Sequence, residues 1–181
     1  MRALLLFPLL LLLTGCNTMK PEQFKNATPA LDLFEYFDGK TTAWGIFEDR
    51  FGNLRRQFKV DIDGIVNGDT LVLDEAFVYA DGEKSRRVWT IIAKDAHRFE
   101  GSADDVIGKA VGISYGNSLN WTYEMDLKVE DSVWRVKFDD WLFRQPDDVI
   151  INRATVTRWG FEIGTVTLFF TRDATAALST E

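Results

Sequence analysis

Leu119-Asn120-Trp121-Thr122-Tyr123-Glu124-Met125-Asp126-Leu127-Lys128-Val129 alternates apolar and polar side chains without a break, six apolar positions against five polar ones. Successive side chains of an extended chain point to opposite faces, so this stretch predicts a half-buried strand with its aromatic and aliphatic residues toward a core. The same period of two recurs in Leu54, Arg56, Phe58, Val60 and Ile62, in Leu71, Leu73, Glu75, Phe77 and Tyr79, and in Trp134, Val136, Phe138, Asp140 and Leu142. Turn chemistry separates these runs at Phe51-Gly52-Asn53, Asp63-Gly64, Asn67-Gly68, Asp81-Gly82, Gly116-Asn117, Glu130-Asp131 and Pro146-Asp147-Asp148. None of the gaps holds a crossover helix, so the strands pair antiparallel.

Working outward, the pattern predicts nine or ten strands, near 42–50, 53–63, 70–79, 86–95, 97–102, 107–116, 118–129, 132–143, 149–159 and 161–171. An open sheet of that width leaves two edges unpaired and one apolar face half covered. Curling into an all-β, up-and-down antiparallel barrel removes both problems. A membrane-spanning barrel would turn its apolar face outward, but the outward residues of the strand at 118–129 are Asn120, Thr122, Glu124, Asp126 and Lys128. Before the first strand, Thr28-Pro29 has the form of a helix cap followed by proline at the first helical position, with Leu31, Leu33 and Phe34 as apolar contacts, so a short helix is expected to plug one end.

Upstream of that helix, Met1-Arg2 and the apolar run from Ala3 to Leu13 have the architecture of an export signal, too short to remain as a span of about 20 residues. The run ends in Leu13-Thr14-Gly15-Cys16, which resembles the lipobox of bacterial lipoproteins. Cys16 is the only cysteine and has no disulfide partner within the chain. The resemblance implies cleavage before Cys16 and acylation there, which would hold the protein on a membrane; Asn17 in place of aspartate implies sorting to the outer membrane. The expected organisation is a signal peptide over 1–15, a lipidated tether over 16–28, a barrel domain over 29–173 and a frayed tail over 174–181. Loss of Arg2 moves the formal net charge from −7 to −8. So acidic a chain lacks the basic footprint that nucleic acid requires.

Tyr36-Phe37-Asp38-Gly39, Arg87-Val88-Trp89, Phe138-Asp139-Asp140-Trp141 and Asn152-Arg153-Ala154 before Trp159-Gly160 together resemble the bacterial lipoprotein family known as domain of unknown function 3833. The resemblance spans roughly Leu31 to Phe170. It implies a lipoprotein carrying a lipocalin-like barrel, and no activity.

Chemistry-bearing residues narrow the function. Gly112-Ile113-Ser114-Tyr115-Gly116 matches the G-x-S-x-G nucleophile elbow, but no helical pattern follows Ser114 and the single histidine, His97, lies upstream of it. His97 has no second histidine, free cysteine or spaced carboxylate beside it, so neither a metal nor a cofactor is expected. Charges in phase with the apolar face are more telling: Glu75, Arg56, Arg87 and Asp140 would all point inward, where an unpaired charge is costly. The Asp81-Gly82 hairpin sets Glu75 opposite Arg87, and the Pro146 turn brings Arg153 toward Asp140. The expected ligand site is therefore polar at one end, with Glu75, Arg87, Asp140, Asn152 and Arg153, and aromatic along its walls, with Trp89, Trp121 and Tyr123; an arginine there would meet the carboxylate or phosphate of an amphipathic ligand. The expected function is non-catalytic binding or shielding of a lipid-like molecule. An enzyme acting on membrane lipids through Glu75, Asp139 or Asp140 is the first alternative, although Asp139 and Asp140 face opposite ways. A structural lipoprotein with a solid barrel is the second.

Overall fold

Residue parity decides which side chains enter the barrel, and the computed structural model, which describes residues 19–129 and 132–172, carries that parity around a closed ring. The strands are β1 (Gly39–Asp49), β2 (Leu54–Asn67), β3 (Thr70–Tyr79), β4 (Lys84–Ala93), β5 (Arg98–Ser102), β6 (Val106–Tyr115), β7 (Ser118–Val129), β8 (Ser132–Gln145), β9 (Val149–Arg158) and β10 (Phe161–Arg172). Each pairs antiparallel with its neighbours in sequence, and β10 returns to β1 with Ala43 opposite Phe170 and Phe47 opposite Val166. The expected up-and-down antiparallel barrel is therefore present, with ten strands. Cys16, the apolar run before it, the Glu130-Asp131 turn and the tail from Asp173 onward lie outside the described residues.

Strand alternation gives the wall two characters. Outside, Arg135 of β8 forks onto Asp126 directly opposite on β7, at 2.9 and 3.0 Å, and Arg86 of β4 pairs with Asp74 of β3. That polarity is the reverse of a lipid-facing barrel. Inside, large rings lie flat against glycine backbone. A Cβ added at Gly101 or Gly112 would fall 2.4 Å from the Trp121 ring, so those two strands can only carry glycine beneath it.

The end of the barrel that carries the β2–β3, β4–β5, β6–β7 and β8–β9 turns is covered by the chain that precedes β1. Here the sequence reading needs two corrections. The helix is α1 (Leu33–Phe37), capped by Asp32, whose Oδ1 accepts from the backbone N–H groups of Phe34 and Glu35 at 3.0 Å each; Thr28 is not the cap. Nor is the stretch before it a free tether throughout. Pro21–Phe24 forms a 3₁₀ turn in which Pro21 is buried, and the Phe24 ring meets Phe143 edge-on at 5.2 Å and Trp141 at 6.1 Å.

From there the segment crosses the end of the barrel. The Leu31 N–H donates to the Gly116 carbonyl (2.7 Å), the Tyr36 hydroxyl donates to the Asp148 carbonyl (2.8 Å), and Arg144 donates to the Ala30 carbonyl (3.0 Å) and to Asp148 Oδ1 (2.7 Å). The Phe37 carbonyl rests on Gly64, where a Cβ would lie 1.7 Å from the oxygen. This close approach explains why Asp63-Gly64, expected as a turn, sits inside β2, while Gly68-Asp69 makes the hairpin.

Candidate functional site

With one end plugged, the barrel divides along its axis. Toward the plug the inward side chains are fully enclosed: Leu71, Leu73, Ile91, Trp89, Leu119, Trp121, Leu142, Ile150 and Phe170 pack with Leu31, Leu33, Tyr36 and Phe37 of the covering segment. Toward the other end the inward side chains divide: Met125, Val136 and Val156 of β7, β8 and β9 are fully buried, while others stay partly exposed. Phe47, Phe58, Phe77, Leu127, Trp134, Val166 and Leu168 all point into the barrel and all keep some accessible surface. These partly exposed side chains line the open end as a shallow apolar cup.

At the junction of cup and core sits a set of polar groups. Glu75 of β3 stands directly opposite Arg87 of β4, as the hairpin reading expected. The partner of Arg87 is nevertheless Asp105, in the turn between β5 and β6. Arg87 Nε donates to both Asp105 oxygens (3.1 and 3.0 Å) and Nη2 donates to Oδ2 (2.8 Å), in the forked geometry that makes such pairs strong. The guanidinium also lies 5.6 Å from the centre of the Phe77 ring. Glu75 is left beside this pair without a bonded cation. Burial pushes its carboxyl up to about 7, against the pull of Arg87, with Asp105 and Asp74 adding to the rise.

Across the barrel, Tyr123 of β7 stacks on Phe138 (5.0 Å, 2°) and meets Trp89 edge-on (5.3 Å), while Trp89 meets Trp121 at 5.8 Å. Asp140 of β8 faces inward between Trp121 and Ala154. Burial lifts its carboxyl to about 7; the Tyr123 hydroxyl and Arg87 oppose that rise, Asp139 and Glu75 reinforce it. The Tyr123 phenol in turn is raised well above its usual value, by burial and then by Asp140. Asp140 is 7% exposed and Asn152 of β9 only 5%, and the Oδ1 atom of each has no hydrogen-bond partner. Asn152 stands opposite Leu142, two residues along β8 from Asp140, so the two unpaired acceptors are diagonal neighbours on the inner wall.

Arg153 does not join them. The apolar face of β9 is Ile150, Ala154 and Val156, which puts Arg153 on the outer wall opposite Trp141, so the expected pair with Asp140 is absent. Arg56 points inward but at the rim, where it bonds Glu83 at 2.7 Å and covers the Tyr79 ring at 4.1 Å. Asp105, missed in the sequence, lies in a short acidic turn that looks like any other loop. Asp139 faces out and accepts from Asn120 at 2.6 Å, as strand parity requires.

The other motifs are structural. Ser114 is buried and its hydroxyl donates to the Ser118 carbonyl (3.0 Å) at a strand end. His97 stacks on Tyr115 at 4.0 Å near the plugged end. A groove of about 470 Å³ with Trp44, Phe169 and Val78 along it runs on the outer wall and reaches Phe58. Around the mouth, Phe51, Leu54, Val133, Trp159 and Phe161 are exposed on the turns and strand ends of β1, β2, β8, β9 and β10.

Fold and site together define a lipocalin-like antiparallel barrel with one end closed and a partly polar cup at the other. A family model described as a protein of unknown function, DUF3833, matches residues 10–172, and the chain belongs to that family. No curated protein sequence matches it. Among solved structures, the S-type phycobiliprotein lyase CPES from Guillardia theta superposes with a TM-score of 0.55 over 77% of this chain and 90% of that one, at 8% identity. At that identity the likeness is one of fold.

Proposed function

We propose that this protein is an envelope lipoprotein whose barrel binds an amphipathic small molecule through its open end and performs no chemistry on it. The observation that carries this reading is the pairing of a wetted apolar cup with a buried polar floor on which two acceptors lack donors. An apolar wall with a few convergent polar groups is the usual composition of a small-molecule site, and a buried acceptor without a donor is a cost that a ligand can relieve. The likeness to a phycobiliprotein lyase supports a barrel of this kind as a ligand carrier.

The anchoring half of the proposal rests on Leu13-Thr14-Gly15-Cys16, which lies within the stretch matched by the family model. Pro21 lies five positions after Cys16, and an extended chain of that length reaches about 17 Å. Acylation at Cys16 would thus keep the plugged end near the bilayer and turn the cup toward the aqueous compartment. Several acyl chains hold a protein on a membrane durably where a single one holds it marginally.

Native mass spectrometry of the protein extracted from membranes tests both halves. The expected spectrum shows a mass increase for acylation at Cys16, which Cys16→Ser abolishes, and a copurifying small molecule that Phe77→Glu loses. A bare barrel that also fails to take up any alkyl amphiphile would overturn the binding reading, and an unmodified, soluble wild type would overturn the anchoring one. One observation favours acid–base catalysis instead: two carboxyls, Glu75 and Asp140, sit near pH 7. A bound molecule whose mass changes on incubation with wild type but not with Asp140→Asn would decide for the enzyme.

A further inference from the structure

The charge balance at the floor of the cup runs opposite to the one the sequence suggested. Arg153 is outside, and Arg87 has turned Nε and Nη2 onto Asp105. Facing the floor are Glu75 from β3, Arg87 from β4, Asp105 from the turn before β6, Tyr123 from β7 and Asp140 from β8, three carboxyls against one guanidinium. Of the buried side-chain atoms without partners, the two at this floor, Asp140 Oδ1 and Asn152 Oδ1, are both acceptors. An incoming carboxylate or phosphate would bring more acceptors to a place that has too many, and would sit against Glu75 and Asp140.

We propose that the head group bound here is a hydrogen-bond-donating cation of the primary alkylamine class, docked on Asp140 Oδ1 and Asn152 Oδ1, with its alkyl chain along Phe47, Phe58 and Phe77. This rests on the reading of the cup as a ligand site and names the chemistry that the site selects. A primary ammonium carries three donors, enough for both orphaned acceptors. A quaternary ammonium carries the charge without the donors, an alcohol a donor without the charge, so each removes one half of the match. Binding is also coupled to protons. An alkylamine stays charged well above pH 8, as lysine does with a value of about 10.4, whereas Glu75 and Asp140 lose their protons near 7. Affinity for the amine therefore rises from pH 6 to pH 8.

The test uses the full acylated chain in lipid nanodiscs, with empty nanodiscs subtracted. Octylamine, octyltrimethylammonium, 1-octanol and octanoate are titrated at pH 7.5, read by the fluorescence of the tryptophans that include Trp89 and Trp121. Octylamine is expected to bind at least tenfold tighter than octanoate and several-fold tighter than the other two. Asp140→Asn should cut octylamine affinity about tenfold while leaving octanoate unchanged or improved, and Asn152→Asp should widen the preference. Equal binding of all four probes, or a preference for octanoate, overturns the cationic head group while leaving the cup as a ligand site. Failure of every probe to bind overturns the site itself. Should Asp140→Asn not fold, the wild-type ranking of the four probes decides alone.

Discussion

The two halves of this barrel are built from the same alternation on the same strands, yet one is a core and the other a container. On β3, Leu71 and Leu73 are enclosed at the plugged end while Glu75, Phe77 and Tyr79, on the same face, keep part of their surface toward the mouth; on β7 Met125 is buried even there. What separates them is the chain before β1. Residues 31–37 supply Leu31, Leu33, Tyr36 and Phe37 as a stopper for one end, and nothing equivalent covers the other among the described residues. A ten-stranded barrel is wider than its own side chains fill easily. The plugged half closes the gap with Trp121 laid over two glycines and with a borrowed segment; the open half keeps part of its inner face accessible.

Truncating a ring in each half measures this difference. Trp121→Ala should cost about 3–5 kcal/mol in urea unfolding, because Gly101 and Gly112 have no side chains with which to refill the space. A cost under about 1 kcal/mol would mean that the lower half is also loosely filled.

The polar floor between the halves predicts the next effect. Folding raises Glu75 and Asp140 from the ordinary carboxylate range to about 7, so between pH 4.5 and 7 the folded barrel holds protons that the unfolded chain releases. The stability they contribute is full below the unfolded values and is lost as pH rises through 7. Without ligand, the wild type should be less stable at pH 8 than at pH 5.5 by about 3 kcal/mol, from two coupled groups. Glu75→Gln with Asp140→Asn should flatten that slope. Asp74, Asp95 and Asp126, held low by Arg86, by the His97 N–H and Arg98, and by Arg135, act in the opposite sense and only in acid. A slope unchanged in the double variant would place the titration elsewhere.

In the container half, Phe77→Ala should cost only about 1–2 kcal/mol, since a ring already partly in water gives up less on truncation. It should also weaken binding of any alkyl amphiphile. Equal penalties at Phe77 and Trp121 would erase the distinction between the halves.

The sequence announces the barrel more clearly than it announces this division. Alternation in β3, β4, β7 and β8 is a local property of each strand, and it correctly sends Glu75, Arg87, Tyr123 and Asp140 inward. Arg153 was misplaced because β9 reads Ile150-Ile151, with an aliphatic residue in either phase, and only the ring of neighbours selects one. Asp63-Gly64 looks like a turn because a turn signature is local, whereas Gly64 is required by a carbonyl that arrives from residue 37, far earlier in the chain. Phe24 gives no period at all, being a single ring in a polar stretch, yet it packs on Trp141 and Phe143. Asp105 becomes visible only when Arg87 is seen to reach it. Each miss concerns a contact distant in sequence.

The stopper itself gives the smallest and most local test. α1 is too short to persist alone, since isolated helices below about 12 residues are marginal in water. Its two ends are held differently: Asp32 Oδ1 takes the first free N–H groups, while Tyr36, Phe37 and Arg144 fasten the segment to the barrel. Asp32→Ala should therefore cost about 1 kcal/mol, the usual worth of such a cap. It should do so without opening the lower half, because the side chains that plug it stay anchored by burial. Hydrogen exchange separates the cases. Faster exchange confined to the amides of Phe34 and Glu35 is the expected result, whereas faster exchange spreading to the lower ends of β2 and β7 would mean that the cap holds the stopper in place and the core half exists only while it does.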